Sequence, residues 1–187
     1  MTRIFAFAAA LFLAAGASAP AAAQSFYSGN WEGKVVMQGK NFTRCEIWVE
    51  FVSDRRLYVA QLDNDSIWVS MGHPQWKLDP NTRATMEFRF YNERQTRDQN
   101  GNTRTSRVRR YAKPLLGTVV STRPNQIWFS LGGDVKLLSA LQTSDLLYVE
   151  DRDGTIEGQR KTYGFRLNDV RSALLKLSLC KLLYSTK

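Results

Sequence analysis

From Trp31 onward the chain is built of short aromatic and β-branched runs, each closed by turn residues, the pattern of antiparallel strands. Trp31 to Met37 predicts the first strand and Gln38-Gly39-Lys40-Asn41 the turn after it. In Cys45 to Phe51, alternate residues Cys45, Ile47, Val49 and Phe51 share one face, with Glu46, Trp48 and Glu50 on the other. The first face is expected in the core. Arg55 to Leu62 sets Leu57 and Val59 opposite Tyr58 and Ala60, and Asp63-Asn64-Asp65-Ser66 turns the chain into Ile67 to Met71. Trp76-Lys77-Leu78 extends or follows that strand after the Gly72-His73-Pro74 break. Thr85 to Tyr91 alternates strictly, with Met86, Phe88 and Phe90 against Glu87, Arg89 and Tyr91.

Residues 92 to 104 contain no aliphatic side chain and include the hairpin-type pair Asn100-Gly101. A long, exposed, basic hairpin tip or loop is expected over 92 to 107, with strands resuming at Val108 and at Gln126 to Leu131. Asp134 is placed to cap a short helix over Val135 to Gln142, with Val135, Leu138 and Leu141 on one side. Asp145 to Val149 then predicts a strand, Asp151-Arg152-Asp153-Gly154 a turn, and Thr155 to Leu167 a further strand. Asn168 is read as the cap of a closing helix whose apolar stripe is Val170, Ala173, Leu174, Leu177 and Cys180. The fold class is therefore β-rich α+β. An antiparallel sheet, sandwich or partial barrel carries the short helix and has the C-terminal helix packed on it.

The first residues follow another pattern. Arg3 precedes an alanine-rich apolar run from Ile4 to Ala15 and then small residues, the order of a secretory signal. Of two A-x-A frames, the one at Ala17-Ser18-Ala19 would place Pro20 after the cut, so cleavage is expected before Gln24. A membrane anchor is the alternative, but the run is short against the ~20 residues a spanning helix needs. Residues 1–23 are thus read as a cleaved signal peptide and 24–187 as a single β-rich domain, with no transmembrane segment in the mature chain and a periplasmic or secreted location. The first cysteine, Cys45, lies far from the cleavage site, so no lipid anchor is expected.

The chain carries 26 Lys and Arg against 17 Asp and Glu, a formal charge of +9, and Arg3 is the only charge within residues 1–23. That balance favours anionic partners and is silent on fold. Two cysteines, Cys45 and Cys180, are expected to pair in an oxidising compartment, two buried thiols being the alternative. The bond would pin the last helix across the sheet.

Catalytic chemistry is thinly supplied, and no catalytic residue, metal site or cofactor is assigned. The one histidine, His73, sits in a Gly-His-Pro turn, and paired cysteines leave no thiolate nucleophile or Cys/His zinc cluster. With Gly154 as the sixth residue of a calcium loop, Val149 and Arg160 would fall where an EF-hand needs Asp and Glu, so a β-turn is the better account. Asp63 and Asp65 are read as turn residues, and the sequons at Asn41 and Asn64 as chance. Paired carboxylates for glycoside hydrolysis remain a further possibility whose spacing a sequence does not show. The strongest local feature is the basic stretch, with Arg94, Arg97, Arg104, Arg107, Arg109 and Arg110 as candidate anion- or partner-binding residues. Outside the cytoplasm the available partners are anionic envelope lipid, polysaccharide or an acidic protein, and nucleic acid is not expected. The alternative is a solvated loop kept soluble by charge. The five tryptophans are read as core and cross-strand packing, or as the lining of a pocket.

Gly29-Asn30-Trp31 at the opening of the first strand, the late helix and a disulfide reaching the C-terminal region resemble the lipocalin family. That resemblance implies an eight-stranded barrel carrying a small apolar ligand, although the short helix over 135–142 with two strands after it departs from the plan. The segment Phe165-x-Leu167-x-x-Val170-x-x-Ala173-Leu174-x-x-Leu177-x-x-Cys180 is similar to the closing segment of small exported, periplasmic proteins of Gram-negative bacteria, distantly including the invasion-associated locus B type. This implies a periplasmic β-rich domain without enzymatic activity. The function expected is an exported binding or envelope-associated protein engaging an anionic component through its basic loop. A lipocalin-like carrier is the alternative.

Overall fold

The computed structural model describes residues 25–51 and 54–185. The signal peptide expected over residues 1–23 lies outside the described residues. Ten strands form one antiparallel sheet: β1 (Ser25–Ser28), β2 (Trp31–Gln38), β3 (Asn41–Glu50), β4 (Arg56–Leu62), β5 (Ile67–Gly72), β6 (Arg83–Arg97), β7 (Thr103–Val119), β8 (Gln126–Ser130), β9 (Leu146–Asp151) and β10 (Lys161–Arg166). Their spatial order is β1-β2-β3-β4-β5-β8-β7-β6-β9-β10. Helices α1 (Val135–Thr143) and α2 (Val170–Tyr184) complete the β-rich α+β fold. An up-and-down barrel keeps its strands in sequence order and joins its edges. Here β5 is followed by β8, and the sheet has ten strands with β1 and β10 at its edges, so the eight-stranded plan is not met.

Side chains alternating at period two fill one face of the sheet. Cys45, Ile47 and Val49 of β3 and Met86, Phe88 and Phe90 of β6 are buried, with Phe88 opposite Val149 and Phe90 opposite Leu147 of β9, as the alternation predicts. The sheet curls strongly. Phe51, just after β3, meets Phe165 of β10 edge-to-face at 5.2 Å, and Trp76 meets Tyr163 of β10 at 5.6 Å. The Trp31 indole of β2 donates to the Asn168 carbonyl at 2.8 Å. The two ends of the sheet therefore face each other across one core, and burial of Tyr163 pushes its phenol above the ordinary range.

Helix α2 covers the β1–β4 side of that core. Its stripe of Val170, Ala173, Leu174, Leu177 and Cys180 is buried, and Cys180 is bonded to Cys45 of β3 with their Cα atoms 6.2 Å apart. Among the described residues no helix is long and apolar enough to cross a membrane.

Several local expectations are corrected. Strand β1 was not foreseen, because four residues are too few for a period to register. Trp76 and Leu78 are buried but lie in a loop, where the Leu78 N–H donates to the Pro124 carbonyl at 2.8 Å. The strand expected over Thr155 to Leu167 is only Lys161–Arg166, because the Asp151 carboxylate accepts from the Thr155 and Ile156 N–H groups and folds residues 152–160 into a turn and loop. Asn168 does not cap α2. Asp169 holds the cap position at φ 60° with no side-chain cap bond, while the Asn168 carbonyl is taken by Trp31.

In α1 the buried residues are Leu137, Ala140 and Leu141, and Val135 is exposed. The start of the helix sets this rotation. Asp134 accepts from the Leu137 N–H at 3.0 Å, from Lys113 at 2.5 Å and from the Tyr111 hydroxyl at 3.2 Å. The Lys113 ammonium, then the Leu137 N–H, hold the Asp134 carboxyl down to about 2. A folded-state value below the unfolded one gives stability that is present above the unfolded value and lost as pH falls through the folded one. The stability advantage of wild type over Asp134→Ala is therefore expected to shrink between about pH 4 and about pH 2. Urea unfolding of both proteins across that window checks it, and a constant difference would refute the cap assignment.

Gly117 of β7 marks a close approach. A Cβ there would meet the Phe129 ring at 2.4 Å and Ile127 at 2.8 Å. Phe129 cannot yield, being fully buried and packed edge-to-face on Phe88 at 4.9 Å. Gly117→Ala is expected to cost about 1–3 kcal/mol through overpacking. An unchanged urea midpoint would show that the core has slack at this position.

Candidate functional site

The basic stretch forms a two-stranded arm. β6 pairs with β9 only as far as Tyr91, and β7 pairs with β8 only over Gly117–Val119. Beyond those points Asn92–Arg97 pairs solely with Thr103–Val108. Six residues per strand at the usual rise make a ribbon about 20 Å long. Of the hairpin tip or loop expected over 92–107, the hairpin is what forms, and most of it is paired strand. Period-two polar sequence with arginine and threonine satisfies its backbone across the ribbon even without a core face.

Asp98 closes the tip. Its backbone N–H donates to the Asn102 carbonyl at 2.9 Å, its carbonyl accepts from Gly101 at 3.0 Å, and its Oδ1 accepts from the N–H groups of Asn100 and Asn102. Gly101 lies at φ 80°, the left-handed region that glycine enters without strain. Asn100-Gly101 therefore turns the chain within a five-residue loop instead of a two-residue one. Since Asp98 is spent on the turn, it neutralises no arginine.

The register divides the six candidate arginines between two faces. Arg94, opposite Ser106, and Arg104, opposite Thr96, continue the face of Phe90. Arg97, opposite Thr103, and Arg109, opposite Tyr91, lie on the reverse face. Arg110 fills the bulge before Tyr111, whose ring packs near Phe90, so Arg110 also points to the reverse face. Arg107 is the exception in its partners. It pairs with Glu93 at 3.6 Å and lies over the Tyr148 ring at 5.6 Å, and Glu93 also takes Arg166 at 3.2 Å. Arg94, Arg97, Arg104, Arg109 and Arg110 are exposed and have no ion-pair partner among the described residues.

Neighbouring cations are consumed structurally. Arg89 pairs with Glu150 at 3.0 Å, and Lys113 with Asp134. Glu150 is the centre of a saturated network, taking Arg160 and Arg152 as well. Glu87 stands directly opposite Glu150 in register and shares Arg152 with it. Two carboxylates thus stand side by side, but the Arg160 hydrogen bond holds the Glu150 carboxyl below its ordinary range. A general acid needs the opposite shift. His73 occupies its turn, with Nδ1 accepting from the Gln75 N–H at 3.2 Å and the ring tilted against Trp76.

Sequence reasoning missed a second polar cluster, on the outer face of β3, β4, β5 and β8. Glu46 is fully buried there with Arg44 and Arg123, and Trp48, Tyr58 and Trp128 line up across the strands. The available signal was Glu46 itself, a carboxylate between Cys45 and Ile47 facing Ala60 across the sheet.

No protein family matches the sequence, and no curated protein matches it. Among solved structures, the crystal structure of invasion associated protein B from Bartonella henselae is similar to this chain, with a TM-score of 0.47 and 12% identity, covering 83% of this chain and 96% of the other.

Proposed function

We propose that this is an exported, non-enzymatic binding protein whose β6–β7 arm engages closely spaced phosphate or carboxylate groups of a cell-envelope component. The observation that carries the reading is the set of five arginines without carboxylate partners on a ribbon that buries little of itself. Guanidinium groups bind such anions through forked, charge-assisted hydrogen bonds. A periplasmic or secreted setting is supported by the signal-like first residues and by the Cys45–Cys180 bond, which persists where thiols are oxidised.

Retention on phosphatidylglycerol vesicles and on an immobilised anionic polysaccharide tests the reading. Wild type should be retained on at least one and released by salt. Substitution of the five arginines by glutamine should abolish that retention while thermal unfolding stays unchanged. Unaltered retention of the variant, or no retention of wild type on either surface, would overturn the reading.

A further inference from the structure

The outer-face cluster has the construction of a binding site separate from the arm. Glu46 is the hub. Its Oε1 accepts from Arg44 at 2.5 Å and from Arg123 at 3.0 Å, and Lys34 stands 3.7 Å from Oε2. Three cations around one carboxylate leave a local excess of positive charge at Arg44 and Arg123, with the exposed Glu32 and Glu50 further along the same face beside Lys34. Arg123 reaches this point from the β7–β8 connection, crossing over the Trp128 ring at 5.4 Å. Each guanidinium has five N–H donors. Glu46 uses the Nε of Arg44 and one amino group of Arg123, and so fixes both side chains with donors to spare.

Beside these guanidiniums is a pocket of about 200 Å³ with walls of Leu62, Trp68, Val120 and Trp128. Ala60 stands between Glu46 and Trp68 in register, and its small side chain leaves the floor open. The Trp68 indole is anchored on the Ser66 hydroxyl at 3.2 Å. The Trp128 indole is not. Its N–H is buried with no acceptor among the described residues, and the Ser70 hydroxyl, opposite Trp128 in register, and Glu46 Oε2 are buried without hydrogen-bond partners too. Glu46 Oε2 has the Lys34 ammonium 3.7 Å away, which leaves the Trp128 N–H and the Ser70 hydroxyl as the two buried polar groups without compensation among the described residues.

We propose that this pocket binds a small organic anion with a flat apolar body, an aromatic carboxylate. Its carboxylate bridges Arg44 and Arg123, and its body lies between the Trp68 and Trp128 rings against Leu62 and Val120. Glu46 is a positioning residue that holds the two guanidiniums apart. Nothing in this assignment rests on the arm.

Titration of the intact protein with benzoate, followed by calorimetry and tryptophan fluorescence, tests the proposal against two controls: benzamide, which keeps the ring and loses the charge, and acetate, which keeps the charge and loses the ring. Benzoate is expected to bind saturably, and both controls at least about tenfold more weakly. Arg123→Gln should abolish binding. Val120→Trp fills the pocket from a position that is 45% exposed, so the fold tolerates it, and should abolish binding with all charges in place. The five-arginine arm variant should bind benzoate as wild type does. Absence of saturable benzoate binding, equal affinity for either control, or full affinity in Val120→Trp would overturn the proposal.

Discussion

Replacing Cys45 and Cys180 by alanine is expected to lower the free energy of unfolding by about 4–5 kcal/mol, the largest single-site effect in this domain. The bond joins residues 135 apart in sequence, so it closes most of the chain into one loop. On the chain-entropy account such a loop is worth about 5 kcal/mol, because the unfolded ensemble loses its widest excursions. Both cysteines are buried, so truncation to alanine also leaves the space of the two sulfurs unfilled and adds to the loss. The loss should also be uneven in space. Helix α2 is held on the sheet by Val170, Ala173, Leu174 and Leu177 besides the bond, while Leu175, Leu179, Leu182 and Leu183 are largely exposed. Amides of α2 should therefore lose hydrogen-exchange protection first, before those of β3 and β6. Urea unfolding and exchange measurements on the double variant check both points. A loss below about 1 kcal/mol would show that α2 docks by packing alone.

The legibility of this fold in its sequence follows the strength of the period. β3 and β6 alternate over a core face, and Cys45, Ile47, Val49, Met86, Phe88 and Phe90 are buried as expected, whereas the burial of Glu46 on the opposite face was not foreseen. The stripe on α2 is equally clear, since Val170 to Cys180 keeps helical spacing without interruption. The α1 face was ambiguous for a physical reason. With leucines or alanine at 137, 138, 140 and 141, two adjacent stripes are apolar, and what selects between them is Asp134, whose partners Lys113 and Tyr111 lie more than twenty residues away in sequence. The same limit hid the order of the sheet. Placement of β8 beside β5 depends on pairs such as Met71 with Ile127, and no local pattern encodes that choice.

The arm was legible as composition and not as geometry. Its polarity and its Asn-Gly pair marked an exposed turn, but pairing across the ribbon and the bulge at Arg110 decide which arginines share a face. Arg107 was indistinguishable from its neighbours in sequence, and only the approach of Glu93 and Tyr148 sets it apart. The outer-face cluster was harder still. Arg44, Glu46 and Arg123 are brought together by strand order and by the β7–β8 connection, and a buried glutamate reads in sequence like any polar residue of an alternating strand.

Division of the arm into two faces gives the other large expected effect. A cation close to an anionic bilayer contributes about 1 kcal/mol, so five arginines set an upper bound near 5 kcal/mol, and their neutralisation should weaken retention by up to about 4,000-fold at low salt. A flat surface reaches one face of a stiff ribbon at a time. If headgroups of a bilayer are the ligand, Arg97, Arg109 and Arg110 act together, and their triple change to glutamine should remove about 3 kcal/mol, roughly a hundredfold, while changing Arg94 and Arg104 has a much smaller effect. A flexible polyanion can wrap the ribbon, and each arginine then counts for about the same whichever face it occupies. Vesicle sedimentation and polysaccharide retention of the two partial variants, each across a salt series, separate these cases. Both variants should unfold like wild type, because the side chains removed are exposed and have no ion-pair partners among the described residues. Retention that is insensitive to salt in wild type would contradict the electrostatic origin of binding, since contacts between exposed charges weaken as the screening length falls below about 10 Å.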